Sequence, residues 1–230
     1  MERVPGLQDT IRSMSRFTKS TNTMNFRAIA ERHLLERPSR IEVRLCPDQY
    51  VGKVTSIGAN KTFQIRQPAS ERPSNQPCIL LVLESPHVSE FKGEPAPANG
   101  TTGTSIARYL RMVPGLELTD GFGLILINAV QQQCSLGKPP ERFRDKIFRE
   151  VWAGGGQVDF AARLKRLFRP DDIVVNCCTK GSSSKTEIQL RVLVQHTIAS
   201  TLLHVSVLHR NHPSFWHVPA NRERDWLSVI

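Results

Sequence analysis

A chain of 230 residues, 39% hydrophobic and 23% charged, is long enough to close one sizeable core. Its 31 Lys and Arg against 21 Asp and Glu leave a formal charge of +10, a balance that favours a polyanionic partner such as nucleic acid. Five cysteines, an odd number with no CxxC pair, argue against a disulfide framework and against a zinc or iron–sulfur site. No run approaches the roughly 20 apolar residues of a membrane span. The N-terminus lacks the apolar centre of a signal peptide, so a cytoplasmic, reducing location is expected.

Residues 1–40 are polar and basic, with a helix expected from Asn25 to Arg37, ended by Pro38. Ile41, Val43 and Leu45 alternate with charges, and so do Thr62 to Arg66. Both stretches predict strands, with Gly58–Ala59–Asn60 as the turn between them. Gln67 to Pro77 carries three prolines and reads as a surface loop. A boundary near residue 75 then separates an N-terminal helix and β-rich extension, 1–75, from an α/β domain, 76–230.

Beyond that point strands and helices alternate. Ile79–Leu83 is a continuous apolar run that suits a strand buried on both faces. Thr104 is placed to cap a helix running to Met112. Gly123–Asn128 is a second buried strand. Pro140 to Trp152 carries Phe143, Ile147, Phe148 and Val151 on one stripe, with Arg and Lys opposite as a solvated face. Gly154–Gly155–Gly156 breaks this helix, and Val158 to Phe168 forms the next. Asp172–Cys178 is a third strand, Lys185–Leu203 a long helix and His204–Leu208 a fourth strand. The pattern predicts a three-layer α/β/α sandwich with a central four-stranded, mostly parallel sheet.

Each strand runs into polar residues, at the sheet edge where open α/β folds bind ligands. Glu84, Ser85 and His87 follow the first strand; Asn128 and Gln131–Gln133 end the second. Thr179, Lys180 and Ser182–Ser184 follow the third, and His212 and Ser214 the fourth. Taken singly, His212 reads as a turn histidine, Asn128 as a cap and Glu84 as a surface carboxylate. Four such endings in order point to a site.

The ordered set Leu83-Glu84-Ser85-Pro86-His87, Ile125-Leu126-Ile127-Asn128-Ala129-Val130, Thr179-Lys180-Gly181 and His212-Pro213-Ser214 resembles the uracil-DNA glycosylase superfamily. That family's first motif is a strand followed by Gly-Gln-Asp-Pro-Tyr-His or Gly-Glu-Ala-Pro-Gly, and a late motif is His-Pro-Ser. The resemblance covers about residues 76–220. It implies a base flipped out of DNA and released by cleavage of its N-glycosidic bond, with no cofactor and no metal. It implies that His212 donates to the base O2, that Asn128 reads the Watson–Crick edge and that Glu84 orients water or stabilises the cationic sugar. Ser85, His87, Phe91, Lys180, Ser182 and Ser214 would line the substrate, and Phe215 or Trp216 would wedge into the duplex. Ser85 stands where one branch has its water-activating Asp, and His87 where it has a Tyr that blocks C5-substituted pyrimidines. The segment Gly93–Gly100 differs from the family's tighter loop. These departures point to a C5-modified cytosine, such as the glucosylated hydroxymethylcytosine of phage DNA, and so to an anti-phage glycosylase. No lysine is placed for a Schiff-base lyase. The alternatives are a uracil-DNA glycosylase of base-excision repair, a non-catalytic DNA-binding module of the same fold, and a hydrolase of free nucleosides.

Overall fold

The structure, a computed structural model, describes residues 26–33, 42–60, 62–135, 142–181 and 187–229. Helix α1 covers 26–33. It is followed by β1 (Gln49–Lys53), α2 (Val54–Asn60), β2 (Gln67–Pro68), β3 (Cys78–Leu83), α3 (Thr101–Tyr109) and β4 (Gly123–Asn128). Then come α4 (Arg142–Val151), α5 (Gln157–Leu167), β5 (Ile173–Asn176), α6 (Leu190–Thr201), β6 (Val207–His209) and α7 (Pro219–Glu223).

Every residue of β3 and β4 is buried, because helices cover both faces of the sheet. The two faces divide by strand alternation. Leu80, Val82, Ile125, Ile127 and Val174 pack with Ile147 and Phe148 of α4, Phe160 and Leu164 of α5 and Val194 of α6. Ile79, Leu81, Leu83, Leu124 and Leu126 pack with Ile57 of α2, Ile106 of α3 and Trp216. Ile29 of α1 joins the first group.

The sheet has six strands in the order β2-β1-β4-β3-β5-β6. The four expected strands are its parallel part, with Leu83 beside Asn128 and Val82 beside Asn176. The expectation of a four-stranded sheet is corrected by β1, which runs antiparallel to both β4 and β2. The sheet is therefore mixed and continues across the expected boundary near residue 75. The N-terminal strands also differ from expectation. Residues 42–48 are irregular and the strand begins at Gln49, while Gly58–Ala59–Asn60 lies inside α2 rather than in a turn. β1 docks where Gly123 leaves room. A Cβ there would lie 2.5 Å from the Tyr50 ring, whose hydroxyl donates to Gln76 Oε1 at 2.7 Å.

The break between α4 and α5 is the turn Trp152–Gly156, where Gly155 takes φ 119°, a left-handed value that favours glycine. Asp172 clamps the amino ends of β3 and β5. Its carboxylate accepts from the Cys78 and Arg169 backbone N–H groups at 2.8 Å each, and from buried Arg72 at 2.7 Å. No described helix is long and apolar enough to cross a membrane.

From β3 the chain passes through α3 on one face to β4. It returns through α4 and α5 on the other face to β5, on the far side of β3. Connections leave the carboxyl ends of β3 and β5 in opposite directions, the topological switch point at which open α/β sheets bind ligands.

Candidate active site at the carboxyl edge of the sheet

Glu84 is the first residue past β3 and is only 3% exposed. Its Oε1 lies 3.3 Å from Nε of Arg144, on α4, and accepts from the Ser85 hydroxyl at 3.1 Å. Ser85 is thus a hydrogen-bond donor to the carboxylate. Arg144 also pairs with Asp145 at 2.9 Å. The expectation of a solvated basic face on α4 fails at Arg144, because the buried carboxylates of Glu84 and Asp145 draw the guanidinium inward. The nearby Cys134 and Cys178 thiols are pushed well up by burial first and by the Glu84 charge second, which leaves them protonated and inert.

His212 lies at the head of the turn Pro213–Phe215. Its Nδ1 accepts from the Ser214 backbone N–H at 3.4 Å and lies 2.9 Å from the Ser214 hydroxyl. An Nδ1 that accepts from an amide carries no proton, so the neutral ring is assigned its proton on Nε2. Burial first, and the Arg144 charge second, push the His212 pKa down to about 4. The turn is held from several sides. Ser105 of α3 donates to the Pro213 carbonyl at 2.5 Å, Trp216 Nε1 to the Asn211 carbonyl at 2.8 Å, and Arg222 to the Trp216 carbonyl at 2.8 Å.

The Arg144 charge therefore acts on both Glu84 and His212, while the Asn128 side chain makes its contacts elsewhere. Asn128 ends β4, 1% exposed. Its Nδ2 donates to the Cys46 thiol at 3.6 Å and to the carboxyl of Glu90. Its buried Oδ1 has no hydrogen-bond partner among the described residues. Behind it, Arg163 of α5 donates to the Asn128 and Ala129 carbonyls at 3.1 and 3.0 Å, and to both oxygens of Asp48 at 2.8 Å. This buried guanidinium fixes the strand end that carries Asn128.

Glu90, which sequence reasoning missed, lies in the turn Val88–Phe91 and is 6% exposed. Burial pushes its pKa up to about 8, against the opposing hydrogen bonds of the Ala98 N–H and Asn128. A lone carboxylate between a Ser and a Phe carries no periodic signal that would mark it as buried. Ala98 holds φ 54°, a left-handed conformation unusual for a side chain with a Cβ. The loop that contains it is tied down by Arg66, donating to the Pro97 carbonyl at 3.0 Å, and by the Ala96 N–H, donating to the Glu90 carbonyl at 2.9 Å. A cavity of about 230 Å³ opens between His87, Glu90 and the first turn of α3.

The other expected site residues divide. His87 caps the turn Val88–Phe91, its Nδ1 accepting from the Ser89 N–H at 3.2 Å. Phe91 is buried, with its carbonyl accepting from Arg44. Lys180 is exposed, and its carbonyl accepts from the Leu190 N–H at the start of α6. Ser182 lies outside the described residues. Phe215 is 56% exposed. Trp216 is corrected: it is 0% exposed, packed in the core under α3, and has no free edge to enter a duplex.

Among the described residues no group of His, Cys, Asp or Glu could hold a metal ion, and all five cysteines are free and buried. Comparison with protein-family models, with curated proteins and with solved structures found no match.

Proposed function

We propose that this chain is a monofunctional DNA glycosylase that flips out a C5-modified pyrimidine, hydrolyses its N-glycosidic bond and leaves an abasic site, in defence against phage. The observation that carries this reading is His212, whose Nδ1 accepts from the Ser214 N–H and so leaves a neutral imidazole with its proton on Nε2, within the charge field of the Arg144 that pairs with buried Glu84.

When the C1′–N bond breaks, its electron pair goes to the base and positive charge builds on the sugar. The Nε2–H of His212 donates to the base O2 and stabilises the departing anion, as preorganised donors do at developing oxyanions. Its low pKa keeps the ring neutral near pH 7, so it donates a hydrogen bond without transferring a proton. Glu84, held beside Arg144, offers a carboxylate to the cationic sugar and to the water that adds at C1′. Asn128, whose buried Oδ1 has no hydrogen-bond partner among the described residues, is the amide assigned to the base edge. The formal charge of +10 supplies the attraction to phosphates.

Replacement of Glu84 by Gln, or of His212 by Ala, tests the assignment. Base release should fall by about 100-fold or more while affinity for DNA changes little. A wild-type protein that binds DNA and releases no base would leave a binding module instead.

A further inference from the structure

Glu90 takes no part in the reaction above, yet it touches the amide assigned to the base edge. Three buried side chains from separate parts of the chain meet there: Cys46 from the irregular stretch before β1, Glu90 from the turn Val88–Phe91 and Asn128 from the end of β4. Asn128 Nδ2 donates to the Cys46 thiol at 3.6 Å and to the Glu90 carboxyl, and Cys46 Sγ lies 4.0 Å from Glu90 Oε2. The backbone N–H groups of Ala98 and His87 also donate to that carboxyl. Each of these contacts offers Glu90 a hydrogen, a set that suits a carboxylate, which only accepts. Burial pulls the other way and pushes the Glu90 pKa up to about 8, so both forms are populated just above neutral pH.

A protonated Glu90 carries an O–H that needs an acceptor, since a buried donor left unpaired is costly. Asn128 has the matching spare acceptor, because its Oδ1 is buried with no hydrogen-bond partner among the described residues. The two meet when the amide turns by 180°, which exchanges its oxygen and its NH2 and moves no backbone. The strand end stays in place, because Arg163 holds the Asn128 carbonyl at 3.1 Å. Proton and amide are thus coupled. A carboxylate holds Nδ2 against itself and leaves Oδ1 on the far side; a carboxyl holds Oδ1 and leaves the NH2 on the far side.

The surrounding charges leave Glu90 as the group that titrates. Arg66 favours the ionised forms of both Glu90 and Cys46, while Asp48, which acts on Cys46 in the opposite sense, is itself paired with Arg163 of α5. Burial first, and the Glu90 charge second, push the Cys46 thiol well up, so it stays protonated. The His87 ring is engaged by Ser89.

We propose that Glu90 is a positioning residue for Asn128, and that the state of its carboxyl sets which end of the amide meets the base. The inference rests on the glycosylase reading for the role of Asn128, and on the contact of the three side chains for the coupling. Cytosine and uracil differ as the two ends of the amide do: N3 and the 4-substituent are acceptor and donor in cytosine, donor and acceptor in uracil. Each orientation of Asn128 therefore fits one edge and opposes the other.

The test compares the wild type with Glu90→Gln, which keeps the size of the side chain and removes its titration. Base release is measured between about pH 6.5 and about pH 8.5 on hydroxymethylcytosine DNA against hydroxymethyluracil DNA, and on the same pair glucosylated. Within a pair, the ratio of the two rates should change by about tenfold across this range in the wild type and stay level in Glu90→Gln. Titration of the bases themselves is common to both proteins and cancels. A wild-type ratio that stays level, with both rates lowered alike in the variant, makes Glu90 merely structural and overturns the proposal. A second readout needs no substrate. The side-chain amide signals of Asn128 in NMR, identified by their loss in Asn128→Ala, should move with a midpoint near pH 8 in the wild type and stay fixed in Glu90→Gln. Signals that stay fixed in the wild type overturn the coupling. Signals that move as expected, with no base released from any DNA, would instead sink the glycosylase reading and keep the coupling.

Discussion

Glu90→Gln isolates the buried carboxyl and gives a pH dependence of known sign. In the native chain the group holds its proton up to about pH 8, whereas the ordinary glutamate value is 4.5. Below 4.5 both native and unfolded chains are protonated, and the contribution to stability is fully present. Between the two values the unfolded chain has released its proton and the native chain has not. Stability therefore falls as pH rises, by about 1.4 kcal/mol per pH unit. Across the window the loss is about 5 kcal/mol at most, a large share of the roughly 5–15 kcal/mol that stabilises a typical domain. The glutamine variant has no proton to lose. Urea unfolding of both proteins, followed by tryptophan fluorescence between about pH 5 and pH 8, reads the difference directly. Groups common to both, such as His209 and His212, cancel. The wild type should lose stability relative to Glu90→Gln at each step upward in pH. Parallel curves would refute a protonated Glu90.

Other expectations follow from single contacts. His212 should titrate near pH 4 by NMR. Its contribution to stability should be complete above the ordinary histidine value of 6.5 and lost as pH falls toward 4, and a midpoint near 6.5 would contradict the burial argument. Arg163→Met leaves Asp48 buried without its partner and should cost about 3–5 kcal/mol in chemical denaturation. Trp216→Ala should cost about 3–5 kcal/mol as a core truncation. Phe215→Ala, at an exposed ring, should leave the melting temperature within a few degrees of wild type. It should lower base release from duplex DNA more than from single-stranded DNA. Equal losses on both substrates would remove Phe215 from the wedge role.

The parallel strands were legible because Ile79–Leu83 and Leu124–Ile127 are unbroken apolar runs, and such runs persist only where both faces are covered. The turn at Gly154–Gly156 was equally clear, since three glycines cannot sustain a helix. β1 was not legible. It is five residues long, includes a glycine, and gains its place from Gly123 across the sheet, a contact that no local pattern encodes. The alternation at 41–45 was clearer and led elsewhere. The burial of Glu84 and Asn128 at the strand ends was legible, because position after a buried run is a local property. Arg144 and Glu90 were missed for the opposite reason. Each is one charged residue among several in a polar stretch, turned inward by partners distant in sequence. Phe215 and Trp216 show the same limit at closest range: adjacent aromatics in a short turn, one exposed and one wholly buried, with nothing local to say which.

Mass spectrometry of free bases released from a panel of DNAs reads glycosylase activity itself. The panel should contain cytosine, hydroxymethylcytosine, glucosylated hydroxymethylcytosine, thymine and uracil. A free modified pyrimidine and a matching count of abasic sites are expected, both abolished in His212→Ala. No free base from any member of the panel, with the protein folded and bound to DNA, would contradict it.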